Sequence, residues 1–141
     1  MTDPAALEAF YHELCAYTLS LGDSTFIHQH VVDAHAAQSA RATDKPIRVA
    51  FALFGLCLYL EHGYTGRQVQ RAHMQLAARR RKWPVFSQPA SRTSVSAREV
   101  LAAAEGSERE RAIHDWARAV WADWSPEHVR VREYLKTALG I

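Results

Sequence analysis

No Cys-x-x-Cys pair occurs in the chain, and only two cysteines occur at all, Cys15 and Cys57. A zinc ribbon, a thioredoxin-type redox motif and a disulfide scaffold are therefore excluded. Both cysteines sit in apolar segments, which predicts two reduced, buried thiols in a cytoplasmic protein. No apolar run can span a bilayer. The longest uncharged stretch, "VAFALFGLCLYL" from Val49 to Leu60, has twelve residues, against the roughly 20 a membrane helix needs. The opening "MTDPAALEAF" lacks the basic region and apolar core of a signal peptide. There is no Gly-rich phosphate loop, no GxSxG and no Cys-His pair at a recognisable spacing. Strand-like alternation, repeats and low-complexity tracts are missing too.

What is present is helical punctuation. Asp3–Pro4 and Asp44–Pro46 each read as a cap followed by proline at a first turn. Leu7, Phe10, Tyr11, Leu14, Tyr17, Thr18 and Leu21 recur at the spacing of one helical face. The stops and caps predict helices over 4–21, 24–40, 46–63, 66–81, 96–105, 107–124 and 126–139. Asp23 is expected to cap the second and Thr65 the fourth. Ser96 with Glu99, and Ser107 with Glu110, read as capping boxes. The third helix is apolar nearly all round and belongs at the centre of a bundle. Residues 82–95 form a long connection, pinned by Trp83, Val85 and Phe86. Trp116, Trp121 and Trp124 share one face and read as core. A chain of 141 residues with 48% hydrophobic content is long enough to bury a core. The expected fold is an all-α, single-domain bundle of six to seven helices spanning residues 1–141.

Charge is unevenly spread. Residues 1–40 carry five acids and no Lys or Arg, residues 41–98 eleven bases and two acids, and residues 99–141 six bases and eight acids. The basic middle includes Arg67, Arg71, Arg79, Arg80, Arg81 and Lys82. Such a stripe can hold a phosphate backbone. The four consecutive bases also suit a helix C-terminus for local reasons, and the net charge is only +2. Nucleic acid is accordingly the weaker expectation.

"FIHQHVVDAHAAQ", Phe26 to Gln38, concentrates the candidate chemistry. At 100° per residue, His30 and Gln38 fall within the apolar face and Asp33 on its edge. His28 and His35 point away from it. Two histidines chelating one ion from a helix are normally four apart, but here the gaps are two, five and seven. Only His30 and Asp33, three apart, could share an ion or a hydrogen bond. Further ligands would have to come from Glu61, His62, His73, His12 or Cys15. The candidate ligand-binding residues are therefore His30, Asp33, Gln38 and Glu61, and the candidate metal ligands His30, Asp33 and His62. Glu61 is the odder of the pair that ends the third helix, since a helix C-terminus favours a cation such as His62. Arg67, Arg71 and His30 are its expected partners.

At "VVDAHAAQ", "FGLCLYLEHGYTGRQVQRA" and "IHDWARAVWADW" the sequence resembles a bacterial family of small proteins known as a domain of unknown function. Members share a helix with His, V-D-A and Gln, and then a helix reading G-L-C-L-x-L-E-x-G. The likeness covers about residues 10–130. Members often begin with a CxxCG segment suited to metal, which this chain lacks. The resemblance implies no activity and assigns no role to Asp33, Gln38 or Glu61.

Three functions follow as expectations. The first is a cytoplasmic, non-catalytic binding or interaction module without membrane contact. Surplus apolar surface on the third and sixth helices would make it a homodimer. The second is a small hydrolase or transferase dependent on a divalent metal, with His30 and Asp33 joined by Glu61 or His62. The third is a nucleic-acid-associated protein using residues 67–82.

Overall fold

The computed structural model describes residues 3–79 and 82–141. Its elements are α1 (Pro4–Ser20), α2 (His28–Gln38), α3 (Pro46–His62), α4 (Gly66–Ala78), α5 (Ala97–Ala102), α6 (Ser107–Asp123) and α7 (His128–Leu139). A 3₁₀ turn, Ser125–Glu127, precedes α7. No strand occurs among the described residues, and the fold is an all-α bundle. Arg80 and Arg81, and with them the expected end of the fourth helix, lie outside the described residues.

Helix ends follow the local chemistry in most places. Pro46 opens α3, and Gly63, in the left-handed region at φ 68°, ends it. The Thr65 side chain accepts from Gln68 N, and Gln68 Oε1 accepts from Thr65 N, a complete capping box. Neither of the expected serine boxes forms in full. The Ser96 hydroxyl accepts from Arg98 N, and α5 stops at Ala102. Ser107 is already helical, with Gly106 at φ 91° before it.

The start of α2 differs most. Asp23 Oδ2 does accept a backbone bond, but from Ile27 N at 2.9 Å, and it also holds Thr25 Oγ1 at 2.7 Å. This closes a turn rather than a helix. Phe26 within it has φ 55°, which no helix continues through. The turn is fastened to the start of α4, where Arg67 N donates to Thr25 O at 2.8 Å. A Cβ on Gly66 would lie 1.8 Å from Phe26 O, so only glycine fits that approach.

The bundle has two central helices. The apolar α3 is one of them, buried from Val49 to Leu58 except at Phe51. The polar α2 is the other and packs against α1, α3, α4 and α6. Its Val31, Ala34 and Ala37 are fully buried, while its polar residues meet partners on the neighbouring helices. Helix α1 covers the side of α2 that the helical wheel assigned outward. His28 Nδ1 lies 2.9 Å from Thr18 Oγ1, and His35 stacks on Tyr11 with ring centroids 3.7 Å apart. Both histidines therefore lie against α1, on the side of α2 away from its apolar face. One helix's periodicity cannot show that a second helix covers its polar side.

The connection after α4 is held by polar ties more than by its apolar residues. Phe86 is buried, Trp83 half-buried, and Val85 exposed, against expectation. Arg92 donates to the carbonyls of Ala37, Gln38 and Ala40, capping the C-terminus of α2. Asp123 accepts from Thr93 N, and Glu127 from Ser87 N. Cys57 is buried and Cys15 only half-buried. Trp116, Trp121 and Trp124 are all buried. The three tryptophans and α3 from Val49 to Leu58, Phe51 apart, thus pack inside this chain.

Candidate functional site

The four residues singled out as ligand-binding border four different clefts. His30 faces one of about 450 Å³ beside Tyr59, Glu110 and His114. Asp33 faces one of about 360 Å³ among α1, α2, α3 and α4. Gln38 borders a third, toward Pro4 and Arg41, and Glu61 a fourth, toward Arg118 and His128. His62 is exposed beside Tyr64. Among the described residues no three His, Cys, Asp or Glu side chains are placed to hold one metal ion. His30, Asp33 and His62 therefore do not form the expected metal group, and Glu61 does not complete it. Residues three apart on α2 diverge here because α3 and α6 receive one of them and α3 and α4 the other.

Two of the four are occupied in holding the fold. Gln38 Oε1 accepts from Trp116 Nε1 at 3.0 Å, and Gln38 Nε2 donates to Val95 O at 2.6 Å. One amide thus joins α2, α6 and the long connection. Gln38→Leu leaves the Trp116 indole and the Val95 carbonyl without partners. It should lower stability by roughly 2 kcal/mol, read as a shifted urea midpoint at unchanged slope. A midpoint within error of the parent would remove Gln38 from this role. Glu61 takes both Arg132 Nε at 2.7 Å and Arg132 Nη2 at 2.9 Å, and Trp121 Nε1 at 3.0 Å. The Arg132 bonds hold its carboxyl below the usual range. Its partner comes from α7, not from Arg67, Arg71 or His30.

His30 is 4% exposed and stacks on Tyr59 at 3.5 Å. Its Nδ1 is buried without a partner. Burial, aided by His114, pushes its pKa down to about 4, so the ring is neutral at pH 7. Tyr59 also meets the His114 ring edge-on, at 5.4 Å.

Asp33 is the most unusual group in the molecule. It is 4% exposed, and burial raises its pKa well above the carboxylate range. Gln29 Nε2 donates to Oδ1 at 3.2 Å, and Oδ2 has no partner. The carboxyl rests on the backbone of α3 at Gly55, where a Cβ would stand 1.9 Å from Oδ2. Across the same cleft, His73 of α4 lies 3.0 Å through Nε2 from Phe51 O, one turn earlier on α3. A carbonyl only accepts, so Nε2 carries the hydrogen and Nδ1 of the neutral ring is a free acceptor. Burial lowers the His73 pKa to about 4. The cleft wall also includes the stacked Phe51–His73 and Tyr11–His35 pairs. At its mouth Glu8 Oε2 lies 3.2 Å from His35 Nε2, and Arg48 is held by Asp44 at 3.0 Å.

The sequence pattern of a family of unknown function, DUF5946, matches residues 5–125. The chain belongs to this family. No curated protein and no solved structure matches it. The match ends inside the 3₁₀ turn, so α7 lies beyond it. The Glu61–Arg132 pair of this DUF5946 chain therefore reaches outside the matched region. The Asp33–His73 cleft lies wholly within it.

In this DUF5946 chain the basic segment is partly engaged. The Arg67 guanidinium lies 4.8 Å over Phe26, and Arg79 donates to Ala138 O. No described helix is long and apolar enough to cross a membrane. The site residues that sequence reasoning passed over are Tyr11, Arg48, Tyr59 and His114. His73 entered only as one of several supplementary metal ligands. No local pattern marks them, because each acquires its role from α2, a different helix.

Proposed function

We propose that the protein is a non-catalytic binding module for a small molecule, with its site in the Asp33–His73 cleft. One observation carries this reading: Asp33, a carboxyl whose burial favours its protonated form, has one unmatched oxygen and lines a cleft of about 360 Å³. A buried polar group without a partner costs roughly 1–3 kcal/mol, and such groups concentrate where a ligand completes them. His30 Nδ1, beside the cleft of about 450 Å³, is also buried without a partner, as are Trp124 Nε1 and Tyr134 Oη, whose residues border none of these clefts. Binding is favoured over nucleophilic catalysis because no Ser, Thr or Cys lines the cleft.

A fragment screen followed by backbone amide NMR tests the reading. Fragments should move the amides of Gln29, Asp33, Phe51 and His73 together, and Asp33→Asn should weaken the same hits. Hits confined to other clefts, or none, would sink it.

A further inference from the structure

The Asp33–His73 cleft presents acceptors at His73 Nδ1 and Glu8, and at Asp33 once its carboxyl gives up its proton. His73 Nδ1 is an acceptor because Nε2–H is committed to Phe51 O. Asp33 offers Oδ1, held only by a long 3.2 Å amide contact from Gln29, while its unpartnered Oδ2 is buried against Gly55. Glu8 adds a carboxylate at the mouth. Of the two side chains that could bring positive charge, Arg48 is already bonded to Asp44 at 3.0 Å, and burial lowers the pKa of the half-buried His35. The walls are flat, formed by the Tyr11–His35 stack, with 6° between rings, and by the Phe51–His73 pair.

From this arrangement we infer that the ligand is a planar, nitrogen-rich cation whose amidinium- or guanidinium-type edge donates to Asp33 and His73. The inference rests on the binding reading above and names the class of molecule that the site takes. A bidentate N–H edge displaces the Gln29 amide from Asp33 and supplies the charge-assisted bonds a carboxylate accepts best. Asp33 then ionises, and its proton passes to the solvent buffer. The groups facing Asp33 across the cleft are Glu8 and Tyr11 from α1, His35 from α2, Arg48 from α3 and His73 from α4. None of them is an uncommitted cation that would replace the ligand's charge.

Benzamidine, benzamide and benzoate separate the outcomes, because they share a ring and differ in charge and donors. At pH 7, calorimetric titration should show benzamidine binding at least about tenfold more tightly than benzamide, and benzoate more weakly still. Its apparent enthalpy should change between phosphate and Tris buffers, reporting the released proton. Asp33→Asn, which keeps the shape of the uncharged acid, should abolish that buffer dependence and remove the preference over benzamide. Equal binding of all three in the cleft, or a preference for benzoate, would overturn the cation while leaving the binding reading intact. Benzamidine binding with no buffer dependence would overturn the role given to Asp33. If none of the three moves the cleft amides while other fragments do, the ligand class is wrong. If no fragment does, both readings fall.

Discussion

Gly55→Ala should destabilise the protein by about 3 kcal/mol, the upper end of what one added methyl costs in a packed interior. The new Cβ would stand 1.9 Å from Asp33 Oδ2 and 2.5 Å from Cγ. These are not flexible tips. Asp33 is buried, its carboxyl lies between α2 and α3, and these two helices make the most extensive contact in the bundle. Either the carboxyl swings away, losing Gln29, or the helices separate. A double-mutant cycle in urea isolates the clash: Asp33→Ala added to Gly55→Ala should recover more than half the loss, a coupling only direct neighbours show. If the single variant stays within about 0.5 kcal/mol of the parent, Asp33 does not occupy the notch in α3.

The second large effect is on pH dependence. The pKa of Asp33 is raised in the folded protein, so the folded state holds a proton that the unfolded chain gives up above about pH 4. Its contribution is therefore fully present at low pH. It is lost as pH climbs toward the raised folded value, by up to about 1.4 kcal/mol per unit. His30 and His73 act oppositely. Their folded values are about 4, below the roughly 6.5 of an unfolded histidine. Their contribution is complete above about 6.5 and is lost as pH falls toward 4. Two histidines outweigh one aspartate in that window, so stability rises from pH 4 to a maximum near 6.5. Above it Asp33 alone of the three still acts, and stability declines. Asp33→Asn should abolish the alkaline decline and leave the acid limb in place, which urea midpoints at pH 5, 6.5 and 8 will show. A parent curve flat from 6.5 to 8 would mean that Asp33 is already ionised in the folded protein at pH 6.5.

Much of the architecture is legible residue by residue. Pro46, Gly63 and Thr65 mark helix ends through their own backbone chemistry, and the structure places them there. The second helix is where local reading fails. Asp23 looks like its cap but closes a turn through Phe26, because Gly66 lets the backbone of that turn press against α4. The helical wheel places His30, Gln38 and Asp33 inward or on the edge of the apolar face. It could not say that the three point into different clefts. For His28 and His35 it could not say that α1 lies on the side assigned outward.

By itself the sequence determined the helices, their apolar faces and the inward position of His30 and Asp33. Those features rest on backbone caps and a 3.6-residue period, and both act over a few neighbouring residues. Only the tertiary structure decided what each inward polar group meets. Gln38 meets Trp116, Glu61 meets Arg132, His30 meets Tyr59, and Asp33 meets the bare backbone of Gly55 with His73 across the cleft. Apart from Asp33 and Gly55, these partners lie more than 25 positions apart in the chain. Even that closest pair is separated by more than 20 residues, so helix packing sets every contact and no local pattern encodes it.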